Sequence, residues 1–309
     1  MKPLLLLAAL LLSACASTGG QPSLTFQIDR LVREQGTNVT VAIAYQELGT
    51  GLTLSRYDRE VMHPASTMKV PVMLALFEAV DRGEMRLDQP VQVRNEFQSL
   101  MDGSPYSLDP AEDSDPDLYK HVGKSLPLEE LIRRMIVRSS NLATNLLIER
   151  IGATRVTDLM RLIGAEDLRV LRGVEDDKAY QAGMNNVTTA RDLLIVLRML
   201  LPGATGSPLS EASRRRMLEI LKAQELNEKI PAGLPPGVPV AHKTGDITGI
   251  HHDAAIVFPS EGKPYILVIL TRGIVDDRKA DRLIADISRL IWDYRGSSPA
   301  ISPSGPNGG

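Results

Sequence analysis

The chain has 309 residues, 43% of them hydrophobic and 24% charged, which suits one large domain or two lobes sharing a core and argues against several independent domains. A net charge of −3 with no basic stripe speaks against nucleic acid as a partner. Aromatic residues at 4% are too few for a base- or sugar-stacking platform, and the five His and one Cys show no zinc-ligand spacing, so no metal is expected.

In chain order, the sequence opens on Met1-Lys2-Pro3, an apolar run over 4–12 and then Ser13-Ala14-Cys15. A basic start, a short apolar core and small terminal residues make an export signal over 1–15. The run is too short for a spanning helix, which needs roughly 20 apolar residues. Residues 16–23, small and Gly-rich, read as a flexible tether. A helix is predicted over 24–35, a β-branched strand over 39–45, a turn at 48–51 and a returning strand over 52–57. From 66 to 219 the pattern is helical, with apolar residues at helical spacing over 128–137, 142–151 and 190–201. Strands return at 238–243, 253–258 and 265–271, with a turn at Gly262-Lys263, and an amphipathic helix over 277–292 closes the fold. Residues 296–309 are Gly, Ser and Pro with little apolar content and read as a disordered tail. Strands at both ends with helices between predict an α+β fold. It has an antiparallel sheet built from both termini (24–65 and 220–295) and an inserted helical lobe (66–219). A cleft between two such lobes is where a substrate site belongs.

Three polar clusters interrupt this pattern. Ser66 falls at a helix start, and Lys69 lies one turn on, on the same face. A cation facing the positive end of a helix dipole, followed by the apolar run 70–77, is pushed toward its neutral form. A neutral amine beside a hydroxyl can take its proton, and the helix N-terminus offers N–H groups to an oxyanion. Ser139-Ser140-Asn141 separates two apolar helices, as any turn would. Lys243-Thr244-Gly245 ends an apolar strand. A lysine there is costly unless it meets an anion, and Gly245 lets another backbone lie close.

As an ordered set, Ser66-x-x-Lys69, Ser139-x-Asn141 and Lys243-Thr244-Gly245 resemble the three signature motifs of penicillin-recognising serine hydrolases. Asn145-Leu146-Leu147 and Thr188-Thr189 are similar to the class A β-lactamase branch. The resemblance spans residues 24–292 and implies the β-lactamase/transpeptidase-like fold. It also implies Ser66 as nucleophile, Lys69 as its partner amine and Ser139 as proton relay to the departing nitrogen. Asn141 would hold the substrate amide, while Lys243 and Thr244 would bind its carboxylate. The backbone N–H groups of Ser66 and Asp246 would form the oxyanion hole, worth about 3 kcal/mol per donor. No cofactor is implied.

Two positions depart from the family. Ser140 stands where members usually carry Asp, removing a carboxylate that pins the loop. Between 171 and 188 the family places an Arg, a Glu two residues on and an Asn four further, the last two holding the hydrolytic water. Here Glu175 follows Arg172 by three, Ala179 takes the place of the Asn, and Asn186 falls near the Asp that usually bridges to the Arg. Glu175 is the candidate deacylation base, the alternative being that Glu175, Asp176 and Asp177 form a solvated acidic turn. The Asp-, Ser- and Pro-rich insertion 101–122 reads mostly as a surface loop, with Tyr106 or Tyr119 available to wall the cleft. Leu12-Ser13-Ala14-Cys15 resembles a bacterial lipobox. The sequence thus predicts an exported monomer, anchored by lipid on Cys15 to the periplasmic side of the envelope and acting on a β-lactam or peptidoglycan peptide. Hydrolytic β-lactamase activity leads; a D-alanyl-D-alanine carboxypeptidase or esterase, and a sensor acylated without turnover, remain open.

Overall fold

The structure, a computed structural model, describes residues 23–297. The export segment, Cys15 and the tether up to residue 22 lie outside the described residues, as do residues 298–309 of the tail. In chain order the elements are α1 (Leu24–Glu34), β1 (Thr40–Glu47), β2 (Thr53–Arg56), a 3-10 turn (Ala65–Met68) and α2 (Lys69–Asp81). The short strands β3 (Pro90–Gln92), β4 (Phe97–Gln98), β5 (Pro105–Tyr106) and β6 (Ser125–Pro127) follow. Next come α3 (Leu128–Val137), α4 (Asn141–Ile151), α5 (Ala153–Leu162), α6 (Asp177–Gln181), α7 (Ala190–Arg198) and α8 (Glu211–Lys222). The chain finishes with β7 (Val240–Ile247), β8 (Ile250–Val257), β9 (Tyr265–Arg272) and α9 (Asp277–Ser297). Ser23, the last tether residue, caps α1 by accepting the Phe26 N–H. At the other end α9 runs two residues into the predicted tail.

The sheet is antiparallel in the order β2-β1-β9-β8-β7, so both chain ends build it as expected. Strands β1 and β9 at its centre are apolar on both faces, because both are covered. Val41, Ile43 and Tyr45 of β1 with Leu267 and Ile269 of β9 pack toward α1 and α9. Ala42, Ala44, Ile266, Val268 and Leu270 point the other way, into a core shared with α2, α3, α4 and α7. The helical segment is therefore continuous with one face of the sheet, and the predicted boundary at 219/220 falls inside α8.

At the centre runs α2, buried from Lys69 through Ala79. A helix apolar on all sides is stable only when other elements surround it, which fixes its first turn deep in the protein. Two expectations need correction. The strand predicted to end at 243 continues to Ile247 as β7, and its partner β8 begins at Ile250 rather than 253. The 101–122 insertion is mostly exposed, as predicted, but Leu108, Asp113, Asp115 and Leu118 are buried in it, since two of its acids turn inward to partners on α3 and α4. Among the described residues no helix is long and apolar enough to cross a membrane.

Candidate active site

The 3-10 turn carries Ser66 to the mouth of a cleft between α2, the α3–α4 junction, the 171–188 loop and the end of β7. Ala65, immediately before it, has φ 45, and Ser139 and Glu175 have φ 59 and 60. Left-handed backbone at non-glycine residues costs of order 1–3 kcal/mol each and persists only where its surroundings hold it. Three of the four such residues among those described lie in this one cleft. Ser66 is half-buried, and its hydroxyl has no hydrogen-bond partner among the described residues, which leaves it open to a substrate.

Lys69 begins α2 with its side chain fully buried. Its Nζ donates to the Ser139 carbonyl at 2.6 Å, to Ser139 Oγ at 3.1 Å and to Asn141 Oδ1 at 2.9 Å. Burial drives its pKa down to about 7, against the opposing pull of the Asp113 and Glu175 charges. Near neutral pH a large fraction of Lys69 is thus free amine, the form able to accept a proton.

Ser139 sits between two lysines. Lys243 Nζ, equally buried, donates to Ser139 Oγ at 3.0 Å and to the Thr244 carbonyl at 2.8 Å. Burial, and then the nearby Lys69 charge, hold Lys243 well below the ordinary lysine pKa. A hydroxyl has two lone pairs and one proton. With both lone pairs engaged by the two amines, the Ser139 proton is the part left to donate.

Gly245 explains how β7 reaches the nucleophile. A Cβ there would lie 3.0 Å from the Ser66 backbone nitrogen, 3.1 Å from the Pro64 carbonyl oxygen and 3.1 Å from the Ala65 Cβ. A glycine lets the edge strand of the sheet pass this close to the Ser66 amide without crowding, where any side chain would be a tight fit. Asp246 follows, and its carboxylate is turned onto Lys229 at 2.9 Å and His251 at 2.9 Å. Asp246, His251 and Asp281 are spaced to ligate a cation, but Lys229 Nζ, 2.9 and 3.3 Å from the two carboxylates, already supplies the positive charge.

Glu175 comes from the 171–188 loop, and the solvated-turn alternative does not describe it. Asp176 is 2% exposed and accepts from Ser99 Oγ and the Leu100 N–H. Glu175 Oε1 accepts from Asn141 Nδ2 at 2.7 Å. One amide therefore faces both titrating groups, its oxygen on Lys69 and its nitrogen on Glu175. Burial raises the Glu175 pKa, aided by Asp113 and opposed by the Asn141 hydrogen bond and by Lys69. The loop is braced by two asparagines. Asn145 accepts from the Val174 N–H at 2.7 Å and donates to its carbonyl at 3.0 Å, while Gly173 lies too close to it to bear a side chain. Asn186 accepts from the Leu171 and Arg172 N–H groups and donates to the Arg172 carbonyl. The Arg172 guanidinium itself bonds to Asn185 rather than Asn186. Ala179 is fully buried in α6 and offers no side-chain polar group for a water. Tyr106 bonds to Asn145 and Tyr119 to Asp113, so both tyrosines of the insertion support the site.

The structure thus gathers Lys69, Ser139, Asn141, Glu175 and Lys243 into one hydrogen-bonded cluster beside Ser66. Asp113, Lys229 and the bracing role of Asn145 were not foreseen. No local pattern marks them, because each acts on an element distant in sequence.

Comparisons with known proteins agree with this geometry. Residues 23–295 match the model of the Beta-lactamase enzyme family. A β-lactamase of Bacillus licheniformis is 29% identical over 198 residues, 60% of this chain and 61% of that protein. The carbapenem-hydrolyzing β-lactamase KPC of Klebsiella oxytoca is 26% identical over 269 residues, 85% of this chain and 86% of its own length. Among solved structures, PBP-A superimposes with a TM-score of 0.75 at 28% identity, covering 89% of this chain and 96% of that one. An ancestral class A β-lactamase gives 0.75 at 28% identity, covering 88% and 100%. With its signature residues in one cleft and nearly all its described length matched, the chain belongs to the β-lactamase enzyme family.

Proposed function

We propose that this protein is a serine β-lactamase that opens the lactam amide through an acyl ester on Ser66. The observation that carries the reading is the buried chain Lys69–Asn141–Glu175, in which one amide links an amine near neutrality to a half-buried carboxylate. In acylation, Ser66 Oγ attacks the lactam carbonyl carbon and its proton passes to the neutral Lys69 amine. The carbon–nitrogen bond breaks, and the Ser139 hydroxyl protonates the departing nitrogen, its own proton being replaced from the adjacent lysines. The Ser66 and Asp246 N–H groups stabilise the oxyanion, and Lys243 with Thr244 holds the substrate carboxylate. In deacylation, a water gives a proton to Glu175 as it attacks the ester carbon, the bond from that carbon to Ser66 Oγ breaks, and the proton held by Glu175 returns to Ser66 through Lys69.

Steady-state nitrocefin hydrolysis at catalytic protein concentration tests this, and a single stoichiometric burst without turnover would contradict it. A second reading, a D-alanyl-D-alanine carboxypeptidase or esterase using the same nucleophile, draws support from Ala179, which leaves Glu175 without the usual amide partner for a water. Release of D-alanine from a muropeptide, lost in Ser66→Ala, would favour it. An adduct persisting for hours would favour a sensor instead. We also propose that the protein is exported and lipid-anchored through Cys15 on the periplasmic side of the envelope, on the strength of residues 1–15. A Cys15→Ala variant should then leave the membrane fraction, and its retention there would count against the anchor.

A further inference from the structure

We propose that Asp113, carried by the 101–122 insertion, is the positioning residue of the Ser139-Ser140-Asn141 motif, delivering from another part of the chain the carboxylate that Ser140 lacks. This rests on the serine-hydrolase reading of the site. The opening N–H groups of a helix have no partners within it. In α4, Ser140 satisfies one of them by accepting from Ala143 at 3.2 Å. Asp113 satisfies two more: Oδ1 accepts from the Asn141 N–H at 3.1 Å and Oδ2 from the Leu142 N–H at 2.8 Å. Oδ2 also accepts from Tyr119 OH at 3.0 Å and lies 3.5 Å from Ser140 Oγ, and Oδ1 accepts from the Asp115 N–H at 3.0 Å.

Asp113 is 5% exposed, so these bonds are made out of water, with a negative charge against the positive end of a helix. The two amides it grips flank the Asn141 side chain. That side chain must present its oxygen to Lys69 and its nitrogen to Glu175 at once, and the gripped turn also holds Ser139 in its left-handed conformation. Asp113 touches no reacting atom; it acts by fixing the turn that does.

The test compares the parent with Asp113→Asn, Ser140→Asp and the double variant. Asparagine turns an N–H toward one of the two amides it should accept from, so Asp113→Asn is expected to lower kcat/KM for nitrocefin by about ten- to hundredfold, the scale set by small misplacements of a catalytic group. Its acidic limb should also move to lower pH, because Lys69 loses one of the two anions that favour its charged form. Glu175 from the 171–188 loop remains as the other anion, and Lys243 from β7 is the cation facing the same hydroxyl. Ser140→Asp alone should impair the parent, since it sets a second carboxylate against Asp113, yet restore activity when combined with Asp113→Asn. Circular dichroism of each purified variant corrects its rate for folded protein. Parental kcat/KM and limb in Asp113→Asn, or no rescue in the double variant, would overturn the proposal. Hydrogen exchange at the Asn141 and Leu142 amides gives a readout independent of activity: it should accelerate in Asp113→Asn, and unchanged protection would overturn the capping role. If the parent itself forms no adduct with benzylpenicillin, the enzymatic reading fails instead, and the exchange result still decides the cap.

Discussion

Replacing Glu175 with Gln should separate the two halves of the reaction. The amide keeps an oxygen where Oε1 accepts from Asn141 Nδ2 at 2.7 Å, so the loop, braced by Asn145 and Asn186, has no reason to move. What is lost is the ability to take a proton from water. General-base assistance is worth about 10²–10⁴-fold, or roughly 3–5 kcal/mol of barrier at 1.36 kcal/mol per tenfold. Acylation does not use this carboxylate directly and should continue, helped at lower pH because Lys69 loses a neighbouring anion that favours its charged form. Intact-mass measurement with benzylpenicillin should therefore show Glu175→Gln accumulating an adduct equal to the whole ligand, since ring opening releases nothing. The parental protein should return to its free mass as soon as substrate is spent. Parental turnover by Glu175→Gln would refute the assignment of Glu175 as base and reopen the question of what activates the water.

Three other outcomes follow from the geometry. Acylation in the parent should fall as pH drops through about 7, the range in which Lys69 takes up its proton; Lys69→Arg, which stays charged throughout, should show no acylation at any pH tested. Gly245→Ala places a methyl group 3.0 Å from the Ser66 nitrogen; a destabilisation of about 1–3 kcal/mol with slower acylation should appear in thermal melts and burst kinetics, and parental behaviour in both would mean β7 does not crowd the Ser66 amide. Asn145→Ala removes both bonds to Val174 and leaves the part-buried Val174 N–H without a protein partner, at about 1 kcal/mol; deacylation should slow more than acylation, and equal slowing of both would place Asn145 outside the Glu175 loop's control.

The parts of the site that the sequence marks out are those that depend on neighbours along the chain. Ser66 and Lys69 share one helical turn, and Lys243 stands out because a cation inside an apolar strand demands an explanation. The strand ends were misplaced because β7 and β8 continue through polar residues, over 242–246 and 251–253, which a search for apolar runs passes over. The insertion is mostly surface, as read, but its buried acids escaped notice for a related reason. Its acids look solvated when counted by composition, but Asp113 and Asp115 are buried because Asn141, Leu142, Arg134 and Arg138 come from elements 19 or more residues away to meet them. Glu175 could be named yet not placed, since its position is set by Asn145 and Asn141, about thirty residues upstream. The two covered faces of the sheet were not read from the sequence, although the continuous apolar run of β9 is the pattern of a strand buried on both sides; the polar first half of β8 hides it there.

The most direct test of the account is time-resolved mass spectrometry of the protein mixed with benzylpenicillin, followed by peptide mapping of the quenched sample. A transient adduct on the peptide containing Ser66, absent in Ser66→Ala and decaying as penicilloate accumulates over many turnovers, is the predicted result. Labelling at any other residue, or no covalent species while the lactam is consumed, would contradict a nucleophilic hydroxyl served by the Lys69 amine.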